Sequence, residues 1–192
     1  MNILIIYAHP KENSFCNAIK EMIVKGLKAN KNTVRIHDLY YSKFNPLLSK
    51  EELRGETKSL SGYKTIVKYQ HDIKWANVII IIHPAWWYGV PAILKGYFDR
   101  VLTEGFAFNY EVDHPVPLLT DKKGILVQTF DVEEQLEKEF FGDITYKSVY
   151  YVWKYCGVED WQKFAKFKVN FVSKKQREEW LEEAYQMVLK IK

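Results

Sequence analysis

The chain has 192 residues, 47% hydrophobic and 27% charged, with a formal net charge of +4. This is ordinary globular composition, long enough for one well-buried domain and short for two. The lysines are scattered over helix faces and one strand rather than massed in a stripe, which argues against nucleic acid, and no run approaches membrane-spanning length. The first seven residues lack a basic start, a long apolar run and a cleavage site, so a cytoplasmic protein without membrane insertion is expected. Cys16 and Cys156 stand in no metal-like or C-x-x-C spacing and fit a reducing compartment.

Ile3 to Tyr7 is a continuous apolar run, followed by Ala8-His9-Pro10-Lys11-Glu12-Asn13-Ser14-Phe15 and a helical pattern of Ile19, Met22, Ile23 and Leu27. That reads as strand, loop, helix. A helix start after the first strand offers unpaired N–H groups and a positive dipole end, suited to a phosphate. Ser14 caps the helix and can also donate to a phosphate oxygen; His9 either touches the same anion or satisfies a turn. Cys16, in the first helical turn, is read as a small buried filler. Asn30-Lys31-Asn32 is a turn, and Thr33 to Leu39 alternates as a strand near a sheet edge, with Val34 and Ile36 inward. A polar stretch from Ser49 to Gly62 is the nearest thing to a linker. A helix from about Tyr63 to Trp75 then returns the chain to the centre.

Val78 to Ile82 is five consecutive β-branched residues, the signature of a strand covered on both faces by helices and hence of a parallel sheet. It stops at His83-Pro84, and a helix with Ile93, Leu94, Tyr97, Phe98, Val101 and Leu102 on one face starts at Pro91. Between them lie Pro84-Ala85-Trp86-Trp87-Tyr88-Gly89-Val90, aromatic residues where polar turn chemistry is usual. In open α/β sheets ligands sit at the carboxyl ends of strands, so these rings are placed to cover a flat cofactor, to cap the core or to face a partner. Gly105 to Tyr110 is a second aromatic loop. Ile125 to Thr129 is a fourth strand, followed by Phe130-Asp131, a charged helix with Val132, Leu136 and Phe140 four apart, and a helix carrying Val149, Val152, Trp153 and Cys156 that stops at Gly157. Ala165, Phe167, Val169 and Phe171 alternate with Lys166, Lys168 and Asn170 as a last, edge strand, and Ser173 to Gln176 reads as a capping box before a last helix. The expectation is a single three-layer, doubly wound domain with a five-stranded parallel sheet in the flavodoxin-like order 2-1-3-4-5.

Neither G-x-G-x-x-G after the first strand nor G-x-x-x-x-G-K-[ST] occurs, which argues against a dinucleotide Rossmann site and a P-loop. What remains resembles a family. Ala8-His9-Pro10 with Ser14-Phe15, Asp38-Leu39-Tyr40 with Pro46, the block from Pro84 to Leu102 with Gly105-Phe106-Ala107-Phe108, and Lys122-Lys123-Gly124 are similar to the flavodoxin-like NAD(P)H:quinone oxidoreductases, which include DT-diaphorase and the ancillary proteins of bacterial potassium-efflux systems. The resemblance is strong for residues 1–130 and weak beyond. It implies that His9, Ser14, Phe15 and Cys16 surround a flavin phosphate, that Pro84, Ala85, Trp86, Trp87 and Tyr88 hold the isoalloxazine ring, and that Thr129, Phe130 and Asp131 meet it where other members carry T-T-G-G. It also implies FMN, or alternatively FAD, NAD(P)H as co-substrate and two-electron ping-pong transfer to a quinone-like acceptor. Members are homodimers whose flavin sites the partner completes; Phe106, Phe108 and Tyr110 serve that purpose or close this chain's own core. A flavin-binding ancillary subunit with little turnover is the alternative function. The resemblance assigns no catalytic side chain.

Overall fold

The structure, a computed structural model, describes residues 1–56 and 62–191. Among the described residues seven strands form, β1 (Asn2–Tyr7), β2 (Thr33–Asp38), β3 (Val78–Pro84), β4 (Phe108–Glu111), β5 (His114–Pro117), β6 (Lys123–Thr129) and β7 (Asp160–Lys166). Five of them make one parallel sheet in the order β2-β1-β3-β6-β7. Counting only these strands, the order is the expected 2-1-3-4-5, because β4 and β5 pair with each other in a separate antiparallel hairpin.

Six helices, α1 (Phe15–Ala29), α2 (Lys50–Leu53), α3 (Tyr63–Trp75), α4 (Ala92–Val101), α5 (Ile144–Tyr155) and α6 (Lys174–Leu189), supply the rest of the regular structure among the described residues apart from a π-type turn at Leu136–Phe140. The continuous apolar strands bury both faces. Leu4, Ile6, Ile79, Ile81 and Leu126 face a core shared with Ile66, Ile73, Tyr97, Phe98 and Trp153. Ile3, Ile5, Ile80, Ile82, Ile125 and Val127 face Ile19, Ile23, Leu27, Ala184 and Val188.

Several expectations are corrected. In β2, Ile36 is 43% exposed while its neighbour His37 is buried. The polar side chain goes inward because it finds a complete set of partners. His37 Nε2 lies 3.0 Å from Asp72 Oδ2 and Nδ1 lies 2.9 Å from the Tyr97 hydroxyl, with Tyr69 stacked on the ring at 3.9 Å. A carboxylate only accepts, so Nε2 carries the proton and Nδ1 accepts from Tyr97. Arg35 Nη1 closes the chain on Asp72 Oδ1 at 2.6 Å.

The last strand runs Asp160–Lys166, five residues before its expected start, because that segment pairs in register with all seven residues of β6. Beyond it, Phe171 is exposed and Phe167 turns back onto Phe130. The expected apolar face of Val132, Leu136 and Phe140 also fails, with Phe140 78% exposed and Glu137 buried instead. Glu137 Oε1 accepts from the Thr145 amide at 2.9 Å, so a carboxyl group supplied from outside caps the start of α5, where its position complements the helix dipole. Ser173 caps α6 through the Gln176 amide, but the Gln176 side chain bonds Glu179, so the reciprocal half of the expected box is missing. Within the polar stretch, Ser49 and Glu52 form a true capping box at α2, and residues 57–61 lie outside the described residues.

Some residues of the family-like motifs have structural work. A Cβ on Gly96 would stand 2.2 Å from the Pro46 carbonyl oxygen, so the glycine lets that loop lie against α4. Arg100, one turn on, donates from Nε to Glu52 Oε1 at 2.9 Å and fastens α2 to the same helix. Buried Lys122 donates to the Ala76 and Lys74 carbonyls at 2.8 and 3.1 Å, capping the end of α3, and Gly124 makes room for the Trp161 ring. Gly96→Ala is therefore expected to lower unfolding free energy by about 2–3 kcal/mol, an overpacking cost against backbone that cannot move aside, readable by urea denaturation.

Candidate functional site

The site is built at the carboxyl ends of β1, β3 and β6, where three loops meet. Ala8 N donates to the Ile82 carbonyl at 3.0 Å and Ala85 N to the Thr129 carbonyl at 2.9 Å, so the strand ends are bonded to one another past the regular ladder. The Cys16 sulfur lies 3.0 Å from Thr129 Oγ1, joining the first turn of α1 to the end of β6. Burial pushes the Cys16 thiol up to about 12, so it is an inert packing group with a hydrogen bond and no nucleophile.

At the start of α1, Ser14 Oγ accepts from Asn17 N at 3.2 Å. Helix geometry leaves the Phe15 and Cys16 amides without intrahelical acceptors, and the first turn carries no acid. These are the attributes of an anion site, and they fit the phosphate of a bound nucleotide-like group. His9 stands beside it, its Nδ1 accepting from Lys11 N at 3.0 Å and its ring 5.8 Å from Trp86. Burial holds the His9 imidazole below its usual pKa, so it is a neutral acceptor-donor there.

The loop after β3 is a tight two-residue turn. Trp86 and Gly89 exchange both backbone hydrogen bonds at 3.1 Å, and the residues between them, Trp87 and Tyr88, have φ of 51° and 57°. Aromatic residues are poor occupants of the left-handed region, and Trp87 is 98% exposed. The turn thus presents a large apolar surface at the carboxyl end of β3. Tyr88 rests on Phe141 at 4.1 Å, which anchors the turn to the segment after the π-type turn.

The sequence-derived residues thus gather at one edge, with two qualifications. Phe130 is buried and stacked on Phe167 at 4.6 Å, and its backbone N–H and carbonyl are bonded to Lys166 and Val169 at 2.8 and 3.0 Å, so it supports the loop rather than offering a group to the site. Asp131 is exposed and accepts from Asn170 Nδ2 at 2.7 Å. Reading the sequence missed Phe141, which no local pattern marks, and a buried polar pair at the strand ends, His83 and Gln128. That pair had a visible signal: each is the polar interruption near the end of an otherwise apolar strand. Among the described residues no group of His, Cys, Asp and Glu could hold a metal ion, and no helix is long and apolar enough to cross a membrane.

The model of the flavodoxin-like fold family matches residues 1–191. An NAD(P)H oxidoreductase of Haemophilus influenzae is 38% identical over 164 residues, covering 83% of this chain and 80% of that protein. The chain belongs to the flavodoxin-like NAD(P)H:quinone oxidoreductase family. As an oxidoreductase of this family it is also 36% identical over 139 residues to rat NAD(P)H dehydrogenase [quinone] 1, covering 64% of this chain but only 51% of the rat protein. Among solved structures, Smu.1420 from Streptococcus mutans superposes over the whole of both chains with a TM-score of 0.89 at 28% identity. The NAD(P)H:quinone oxidoreductase from Methanothermobacter marburgensis gives 0.77 at 25% identity, covering 99% of this chain and 98% of that one.

Proposed function

We propose that this oxidoreductase binds FMN at the β1, β3 and β6 edge and transfers two electrons from NAD(P)H to a quinone-like acceptor in a ping-pong cycle. The observation that carries the reading is the convergence, at one sheet edge, of an acid-free helix start capped by Ser14 with the exposed indoles of the Trp86–Gly89 turn. When bound, the flavin supplies hydride acceptance from the nicotinamide and hydride return to the acceptor. The chain's own residues bind and orient. The Phe15 and Cys16 amides with Ser14 would hold the phosphate, and Pro84, Ala85, Trp86, Trp87 and Tyr88 would flank the ring and exclude water. Thr129, fixed by Cys16, and the backbone of Asp131 would meet its polar edge, with Phe130 holding that loop in place.

The exposed hairpin supports a homodimer in which Tyr110 reaches the partner's site. Phe106 and part of Phe108 instead pack in this chain's own core. A cytoplasmic location suits the two free, buried cysteines. FAD is the second reading, favoured by the Phe15–Trp180 ring pair at 6.0 Å beside the α1 start, which offers an aromatic surface to a second nucleotide unit.

Purified protein is expected to show a yellow flavin band, to release FMN on denaturation as read by mass, to bleach on anaerobic addition of NADPH and to recover on adding a quinone. Protein that stays colourless and takes up neither flavin would overturn the reading.

A further inference from the structure

A cavity of about 690 Å³ opens between α1 and the carboxyl end of β2. It adjoins the candidate flavin site at two points. Tyr7, which lines it, brings its hydroxyl 3.5 Å from Ser14 Oγ, and His9, on the same lining, has its ring 5.8 Å from that of Trp86. One wall is Asn17, Lys20 and Glu21, which their spacing sets on a single face of α1. The opposite wall is Asp38 with Tyr40 and Tyr41.

Asp38 ends β2, and its carboxylate is fixed from two sides. Oδ1 accepts from the Tyr41 amide at 3.0 Å, and Oδ2 stands 3.9 Å from the Lys20 ammonium. An ionised carboxylate has about four acceptor positions, so both oxygens keep room for a ligand hydroxyl. Lys20 is itself engaged, with Nζ 3.2 Å from Glu21 Oε1 and 4.5 Å from the centre of the Tyr7 ring. It steadies Asp38 rather than waiting for an anion. Glu12, Glu21 and Asp38 outnumber Lys20 and Lys43, and burial keeps His9 neutral, so the lining is net negative. Among the described residues no arginine lines it. A fixed carboxylate at a strand end suits two vicinal hydroxyls, and the exposed Tyr41 ring beside it suits a flat base.

We propose that this cavity takes the adenosine end of the reduced nicotinamide co-substrate, that Asp38 accepts from its ribose hydroxyls, and that the chain therefore favours NADH over NADPH. On the reading given under Proposed function the nicotinamide lies on the flavin ring beside the Trp86–Gly89 turn, and the assignment rests on that. Strands β3 and β2 are two sheet spacings apart, about 10 Å, which an extended dinucleotide spans. The missing glycine-rich turn is no obstacle, because that turn brings a pyrophosphate onto the α1 start, which the flavin phosphate takes here. A 2′-phosphate removes one hydroxyl that Asp38 would accept and sets up to about two negative charges against the carboxylates.

Holoprotein titrated with ADP-ribose and with its 2′-phosphorylated form tests this, since neither carries a nicotinamide and neither turns over. Calorimetry is expected to show ADP-ribose binding about tenfold more tightly or better, with the Lys20 and Tyr41 amide resonances moving as it binds. Asp38→Asn keeps an acceptor for the Tyr41 amide but loses the charge, and should bring the two affinities within about threefold. Tyr41→Ala, at an exposed position, should weaken both by about tenfold. In steady state NADPH should still reduce the flavin, with a KM about tenfold above that of NADH and a similar kcat. Equal affinities in wild type, tighter binding of the 2′-phosphorylated form, a preference untouched by Asp38→Asn, or resonance shifts confined to residues outside the cavity would each overturn the assignment. If Asp38→Asn does not fold, Tyr41→Ala carries the test, and undiminished binding there overturns it. Protein that takes up neither flavin fails the reading of the site instead, and the apoprotein titrated with the same two ligands still decides the cavity.

Discussion

Replacing Ser14 by aspartate is expected to abolish flavin retention while leaving the apoprotein at least as stable as wild type. Ser14 Oγ caps α1 through Asn17 N, and aspartate caps equally well. A carboxylate at a helix start with no other acid gains about 0.3–1 kcal/mol from the dipole. The same charge set beside a phosphate is a different matter. At ~4–5 Å and an effective dielectric of about 20, each pair of unit charges repels by roughly 3–4 kcal/mol before screening. Flavin affinity should therefore fall by about a hundredfold or more, read by fluorescence titration alongside the melting temperature. Ser14→Ala should do the reverse, losing about 1 kcal/mol of stability with a smaller loss of affinity. Undiminished flavin binding in the aspartate variant would mean that the anion is held elsewhere.

Asp72→Ala is expected to destabilise the fold by about 3 kcal/mol, a large share of the stability of an ordinary domain. The carboxylate is buried and accepts from both His37 and Arg35, so its removal strands the His37 Nε2–H in the core. Asp72→Asn, which can still accept from His37, should recover most of the loss. The same cluster sets an acid limb. Burial holds His37 down to about 4 against the opposing pull of Asp72, so the unfolded chain binds its proton first as pH falls. Burial raises the Asp72 carboxyl, but its bonds to His37 and Arg35 outweigh this and leave it below its usual value, so its contribution is lost only at still lower pH. Stability should decline by roughly 2–3 kcal/mol on this account as pH drops from about 6.5 to 4, with His83 adding to it in the same direction. Urea midpoints across that range test the sign; stability that rises on acidification would contradict the neutral, buried state of His37.

The fold was legible in the runs Ile3–Tyr7, Val78–Ile82 and Ile125–Thr129, because a strand covered on both faces admits almost no polar residue and so announces itself without help from its neighbours. The edge strands were less so. In Thr33–Asp38 alternation is consistent with either face turning inward, and the choice fell to His37 because Asp72 and Tyr97 lie where its nitrogens can use them. In Asp160–Lys166 the same alternation continues past the true strand end, and only pairing with β6 shows where the sheet stops.

The candidate site divides the same way. The loops from His9 to Cys16 and from Pro84 to Tyr88 could be read in the sequence because helix starts and loop aromatics are local features, tied to a strand by the chain itself. Their convergence with Thr129 came only from the family resemblance and from no local pattern, since the Cys16–Thr129 contact spans 113 residues. The left-handed backbone of Trp87 and Tyr88, which such side chains rarely adopt, could not be read there, nor could the support from Phe141 and the facing of His83 by Gln128, which are relations between distant segments. Periodicity and capping, set by neighbours along the chain, determined which elements form and in what order they alternate. The partners of each buried polar group were decided only by tertiary structure, because hydrogen-bond satisfaction in a core is settled among whatever side chains packing brings together.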